Sequence, residues 1–288
     1  MSTAFDEHRL AVVGAGVMGT NISALALGHG VDVVLVETDE GARDRADGTV
    51  RHKLRHAQLM NVLPAGRPQG TLTITAKLDD IADADTVVEA VTEIAETKKE
   101  VLGAASELVA PGTTLISNTS CIPIQEMAAW TARPEDLLGV HFMNPAYMIK
   151  MVEVIRGPQT SPATLERATA LLTVLGRESL VIEDSAGFVI NRLLHPLINT
   201  AAMLVQEGVA SVETVDNLLQ GCLGHATGPL RTGDLIGLEN LVDSLNVLYE
   251  RRGDESCRPC DLLLAKVRDG HLGRKTGRGF YDYGKAAS

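Results

Sequence analysis

Residues 9–37, RLAVVGAGVMGTNISALALGHGVDVVLVE, decide the fold of this chain. They read as strand, glycine turn, helix and strand. Residues 10–13 are a short apolar run, Gly14-x-Gly16-x-x-Gly19 follows at once, and Ile22, Leu25 and Ala26 keep helical spacing until Gly28 and Gly30 stop it. A second apolar run, residues 31–36, ends at Glu37. This pattern predicts a dinucleotide site: Gly14 allows the tight turn, Gly16 lets the backbone approach a pyrophosphate, and Gly19 lets the helix pack closely on the strand. Val17 and Met18 open that helix, and its N-terminus offers free N–H groups to phosphates. Glu37, eighteen residues beyond Gly19, is placed to accept both ribose hydroxyls and to repel a 2′-phosphate, which favours NAD over NADP. Glycines at this spacing also occur in ordinary turns, but here strand, helix and acid stand in register.

A length of 288 residues exceeds the usual single domain and leads to an expectation of two, each with its own core. Hydrophobic residues at 45% and charged residues at 22% are those of a soluble globular protein. No apolar run approaches the ~20 residues of a membrane span, and MSTAFDEHRL lacks the apolar core of a secretory leader, so a cytoplasmic location is expected. The net charge of −11 argues against nucleic acid as a partner. Within that acidic chain Arg51, His52, Lys53, Arg55 and His56 gather on the second helix, equally readable as a solvated face or as a patch for a phosphate or an acidic partner. Cys257-Arg-Pro-Cys260 has metal-like spacing without a second pair to complete a site. It reads as a solvated loop followed by a helix start, and no metal is expected.

Along the chain, a charged helix to about Asn61, a turn-rich LPAGRPQG, and short strand-like stretches at 71–75, 86–90, 114–117 and 137–140 alternate with helical stretches such as 95–109. That rhythm predicts an α/β fold, a Rossmann-type doubly wound parallel sheet covered on both faces, with ligands at the carboxyl ends of its strands. Those ends deliver Ala90-Val91-Thr92-Glu93, Asn118-Thr119-Ser120-Cys121 and His141-Phe142-Met143-Asn144-Pro145 to one edge. Residues 151–155 turn strand-like again and carry Glu153. On a strand beside His141, its carboxylate would bind one imidazole nitrogen and leave the other to exchange a proton with substrate. Beyond about residue 184 the character becomes helical, with one long helix expected over 185–208 and others at 212–219, 238–249 and 261–269.

From His141 to Glu153, HFMNPAYMIKMVE, the sequence resembles the 3-hydroxyacyl-CoA dehydrogenase family. The likeness runs nearly end to end, through the glycine turn, Ser117-Asn-Thr-Ser120, Gly187-Phe-Val-Ile-Asn191-Arg-Leu193, Gly228-Pro-Leu-Arg-Thr-Gly-Asp234 and Gly273-Arg-Lys275-Thr-Gly-Arg-Gly-Phe280-Tyr281. It implies an NAD-binding domain over 1–184 and an all-α domain over 185–288 that serves substrate and a homodimer interface. It implies His141 as catalytic base, Glu153 as its partner, and Ser120 and Asn191 as holders of the substrate oxygens. Glu93, Lys98, Asn118, Asn144 and Lys275 are implied as cofactor or cleft positions. Met143, Ala146-Tyr147 and Ala226-Thr227 stand where the family is more apolar, and with Arg231 they predict a pocket for a short, polar acyl group. The stretch 59–76 is short and, apart from Arg67, lacks the family's basic residues near the CoA nucleotide. The chain is also similar to dehydrogenases of polyketide extender-unit pathways, which act on a glyceryl group held by acyl carrier protein. Carrier protein and CoA are therefore both expected partners, with a non-catalytic NAD-binding protein or a free hydroxy-acid dehydrogenase as alternatives.

Overall fold

The computed structural model describes residues 8–284, and the chain falls into two compact units that part between Ser185 and Ala186. The first begins with β1 (Arg9–Val13), α1 (Val17–Gly28), β2 (Asp32–Val36), α2 (Glu40–Leu59), β3 (Leu72–Thr75) and β4 (Thr86–Glu89). It continues with α3 (Ala95–Leu108), β5 (Thr114–Ser117), α4 (Ile124–Ala128), β6 (Leu137–His141), β7 (Met151–Arg156), α5 (Pro162–Val174) and β8 (Glu178–Glu183). The strands form one sheet in the order β3-β2-β1-β4-β5-β6-β7-β8. Leu10, Ala11, Val12, Val87, Val88, Leu115 and Ile116 are buried without alternation, as strands covered on both faces must be.

Local chemistry sets the helices that flank the site. Asp39 caps α2 by accepting the Ala42 N–H at 2.7 Å, and Ala46, Val50, Leu54 and Ala57 turn one stripe of that helix into the core. α1 is buried along nearly its whole length, which leaves its exposed first turn as the part open to a ligand. Order reverses between β1 and β4, the crevice where such sheets take ligands.

Two expectations need correction. The sheet is not wholly parallel, because β7 runs antiparallel to β6 and pairs Gly139 with Ile155, Val140 with Val154 and His141 with Glu153. The nine residues between the two strands form a turn with a cis Asn144-Pro145 bond and contain no crossover helix, so the chain has to reverse. The second correction falls in the second unit, where the expected helix over 185–208 begins only at Ile190. Gly187 and Phe188 both take positive φ, +72° and +52°, which no helix accommodates.

The second unit contains α6 (Ile190–Gln206), α7 (Val212–Leu223), α8 (Pro229–Ile236), α9 (Leu238–Arg252) and α10 (Asp261–Arg268), around Ile198, Leu230, Leu238, Leu241, Leu245, Leu248 and Leu263. Two buried aspartates fasten its last stretch. Asp234 accepts the N–H groups of Phe280 and Tyr281 and the Tyr283 hydroxyl, while Asp216 accepts the Leu230 and Arg231 N–H groups and the Tyr281 hydroxyl. Cys257 and Cys260 are both buried rather than solvated, and Cys260 stands at the start of α10. No described helix is long and apolar enough to cross a membrane.

Candidate active site

The glycine turn is built as a nucleotide cradle. Gly14 has φ +103°, and a Cβ there would lie 2.7 Å from the Ala90 carbonyl oxygen. A Cβ on Gly19 would lie 1.8 Å from the Gly14 oxygen, so only glycine lets α1 sit this close to β1. Gly16, by contrast, faces open space with no atom within 4 Å of such a Cβ, room for a pyrophosphate against the backbone. Val17 is 62% exposed at the first turn of α1, with Met18 beside it. The Glu37 carboxylate accepts the Ala15 N–H at 2.8 Å and the Asp39 N–H at 3.0 Å, which holds an anion at the end of β2. These residues fit NAD.

At the other side of the crevice the β6–β7 register puts His141 and Glu153 opposite each other. His141 Nδ1 lies 2.7 Å from Glu153 Oε2, and both side chains are nearly buried. An ionised carboxylate only accepts, so in this contact Nδ1 is the donor.

A polar network ties the strand ends beside this pair together. Asn118 Oδ1 accepts the Phe142 N–H at 3.1 Å and so ties the end of β5 to the residue after His141. Glu93 Oε1 accepts the Thr119 hydroxyl at 2.5 Å, the Ser120 N–H at 2.7 Å and the Cys121 N–H at 3.1 Å, fixing the turn that carries Ser120. Lys98 Nζ lies 2.7 Å from Glu89 and 3.1 Å from Glu93. Burial pushes the Glu93 carboxyl up, yet Lys98, the Thr119 hydroxyl and the Ser120 N–H outweigh it and hold it below its ordinary value. Burial likewise works against the Lys98 ammonium, but Glu89 and Glu93 together hold it above its usual value.

Several site candidates from the sequence acquire different surroundings. Lys98 is fully buried, and its ammonium meets Glu89 and Glu93. Lys275 pairs with Glu239 inside the second unit. Asn191 is buried in the first turn of α6. Asn144 Oδ1 accepts from Asn21 Nδ2 at 3.3 Å. Arg231 stacks 4.1 Å over the Tyr281 ring, and the Thr227 hydroxyl bonds that of Thr232, so both polar groups of the expected acyl pocket have partners within their own unit. Tyr147 is buried and its hydroxyl lies 3.1 Å from His56 Nδ1.

Sequence reasoning missed Glu89. It is fully buried at the end of β4 and accepts Lys98, the Ser117 hydroxyl at 2.6 Å and the Val91 N–H at 2.9 Å. The signal was present as an acid directly after Val87-Val88 in the short strand TVVE, where a carboxylate must have partners to be buried. Among the described residues no group of three or more His, Cys, Asp or Glu could hold a metal.

Comparison with known proteins agrees with this geometry. Residues 9–185 match the family model of the 3-hydroxyacyl-CoA dehydrogenase NAD binding domain, and residues 187–283 match that of the 3-hydroxyacyl-CoA dehydrogenase C-terminal domain. A probable 3-hydroxybutyryl-CoA dehydrogenase of Deinococcus radiodurans is 39% identical over 96% of this chain and all of its own length. The crystal structure of FadB2 from Mycobacterium tuberculosis superposes with a TM-score of 0.91 at 36% identity, covering 96% of this chain and 99% of that one. The crystal structure of (S)-3-hydroxybutyryl-CoA dehydrogenase PaaH1 from Ralstonia eutropha gives 0.87 at 35% identity, covering 97% and 100%. With a glycine turn shaped for NAD and both of its units matched, the chain belongs to the 3-hydroxyacyl-CoA dehydrogenase family and is an NAD-dependent oxidoreductase acting on CH–OH.

Proposed function

We propose that this enzyme oxidises the 3-hydroxyl of a short 3-hydroxyacyl thioester, with His141 and Glu153 as its proton-transfer pair. The observation that carries this reading is the 2.7 Å contact between His141 Nδ1 and Glu153 Oε2, an imidazole and a carboxylate paired across neighbouring strands. Bound NAD supplies the hydride acceptor at C4 of its nicotinamide. Nε2 takes the proton of the substrate hydroxyl, and the carboxylate of Glu153 stabilises the imidazolium that results. In the reductive direction the same nitrogen returns the proton to the C3 oxygen. Ser120, on the turn fixed by Glu93, and Asn191 are assigned to the substrate oxygens by family likeness. Glu93 and Lys98 position that turn, and Glu37 takes the adenosine ribose.

Both carriers remain in the reading. CoA follows from the relatives, among them 3-hydroxybutyryl-CoA dehydrogenases and a 3-hydroxyadipyl-CoA dehydrogenase of Escherichia coli. An acidic acyl carrier protein is favoured by the outward face of α2, where His52 and Arg55 are exposed near Arg51. The enzyme is further proposed to act as a homodimer through α6, whose Ile190, Leu193, Leu197, Met203 and Leu204 are exposed, Leu193 at 68%. The test is NADH formation by the purified protein with 3-hydroxybutyryl-CoA and, separately, glyceryl-loaded acyl carrier protein. Turnover of either thioester is the expected result. Turnover of free hydroxy acids with neither thioester accepted would overturn the reading.

A further inference from the structure

Residues 142–150 carry the chain from His141, at the end of β6, round to β7. His141 with Glu153 is the last registered pair of those two strands, the one beside the turn. Movement of the turn therefore reaches this pair before it reaches Val140 with Val154 or Gly139 with Ile155. Within the turn, Met148 and Ile149 both donate their N–H groups to the Pro145 carbonyl oxygen, at 3.0 and 3.1 Å, and make one helical turn. The carbonyl oxygens of Ala146 and Ile149 are satisfied from outside it.

Arg177 supplies both partners. Its Nη1 donates to the Ala146 oxygen and to the Ile149 oxygen, each at 2.9 Å, and its Nε donates to the Leu175 oxygen at 3.0 Å. The residue is buried, and burial pulls its guanidinium below its ordinary value, a cost that these carbonyl dipoles offset. Its own backbone is held firmly. The Arg177 N–H donates to the Leu172 oxygen at 2.8 Å, Gly176 turns α5 into β8 with φ +64°, and the Glu178 N–H donates to the Lys150 oxygen at 2.9 Å. From there β8 stays paired with β7, from Met151 with Glu178 to Arg156 with Glu183. The guanidinium thus joins a strand fixed along its length to the turn that leads away from His141.

We propose that Arg177 is a positioning residue for the proton-transfer pair: by clamping the turn between β6 and β7 to β8, it holds His141 and Glu153 at hydrogen-bond distance. The inference rests on the reading of His141 and Glu153 given above and deepens it. Arginine suits the task because the donors of its planar guanidinium are fixed in direction and span two carbonyls at once. Loosening the clamp costs rate more than cofactor affinity, since the adenosine end of the cofactor site is built on β1, α1 and β2 through the glycine turn and Glu37.

The test compares wild type with Arg177→Met, Arg177→Gln and Arg177→Lys, each measured where its denaturation curve shows it folded. With 3-hydroxybutyryl-CoA, Arg177→Met should lower kcat about ten- to hundredfold, the scale of a small displacement of reacting groups, while NADH affinity by fluorescence titration stays within about twofold. Arg177→Lys keeps a cation with three donors and should recover most of that loss. A second readout needs no turnover. The Nδ1 proton resonance of His141, assigned as the ring-proton signal that His141→Ala removes, should move in Arg177→Met in the direction it moves in Glu153→Gln. A residue serving stability alone would lower the thermal midpoint and leave kcat and this resonance at wild-type values, and that result overturns the proposal. Equal losses in the lysine and methionine variants overturn it too. Arg177→Gln keeps an amide donor and carries both readouts if the methionine variant does not fold. If His141→Ala keeps its activity, or no thioester is turned over, the catalytic reading fails, and the resonance still decides whether Arg177 holds the pair.

Discussion

His141 and Glu153 illustrate what a single pair of side chains contributes. On the proposed mechanism the carboxylate orients the imidazole, and removing either partner should damage proton transfer more than binding. His141→Ala should lower kcat by about 10²–10⁴ while NADH affinity, measured by fluorescence titration, stays near wild type. Glu153→Gln keeps the shape and loses the charge, and should lower kcat by a smaller factor. Lys98 makes a different point, because its charge is buried between Glu89 and Glu93. Lys98→Met should cost about 3–5 kcal/mol in chemical denaturation, since it strands buried carboxylate. The pH dependence follows from the two directions. Glu93, held below its unfolded value, contributes stability that is lost as pH falls through its folded value. Lys98, held above its unfolded value, contributes stability that is lost as pH rises through its own. Wild type should therefore lose stability on acidification from neutrality. In Lys98→Met, protonation relieves the stranded carboxylates, so that decline should flatten or reverse when thermal midpoints are compared.

At the scale of an element, the first strand, turn and helix depend on contacts too close for any side chain. Gly19→Ala would put a Cβ 1.8 Å from the Gly14 oxygen, and the turn must open to admit it. Weakened NAD binding and a stability loss of about 1–3 kcal/mol are expected, measurable by titration and denaturation. These positions were legible in the sequence because the glycine spacing has one strong physical use there. The antiparallel β7 was not, since a six-residue strand pattern looks the same in either direction. Its direction comes from the turn at Asn144-Pro145 and the pairing partners it meets. The late start of α6 escaped for a similar reason. Apolar spacing continues through Phe188 and Val189, and only backbone geometry reveals the positive φ at Phe188.

For the whole molecule, the open questions concern what binds it. The exposed apolar residues of α6 lead to the expectation that Leu193→Asp shifts the protein toward monomer in sedimentation or gel filtration. The acidic chain with a basic stretch on α2 leads to a second: if a carrier protein is the partner, its KM should rise with ionic strength more steeply than that of an N-acetylcysteamine thioester. The basic stretch is itself divided by the fold. Arg51 pairs with Asp47, His52 and Arg55 face outward, and Lys53 and His56 reach Val17, Thr20 and Tyr147.

The sequence by itself determined the α/β alternation, the glycine turn with Glu37, the strand ends that carry Glu93, Ser120 and His141, and the family. Each of these rests on short-range spacing, and short-range sterics and periodicity can be read along a chain. Tertiary structure alone decided that Lys98 would meet Glu89 and Glu93, that Arg231 would stack on Tyr281, and that Lys53 would reach Val17 and Thr20. A charged side chain carries the same charge wherever it lies. What it does depends on which partners the fold brings within a few ångströms, and on how much water is left there to compete.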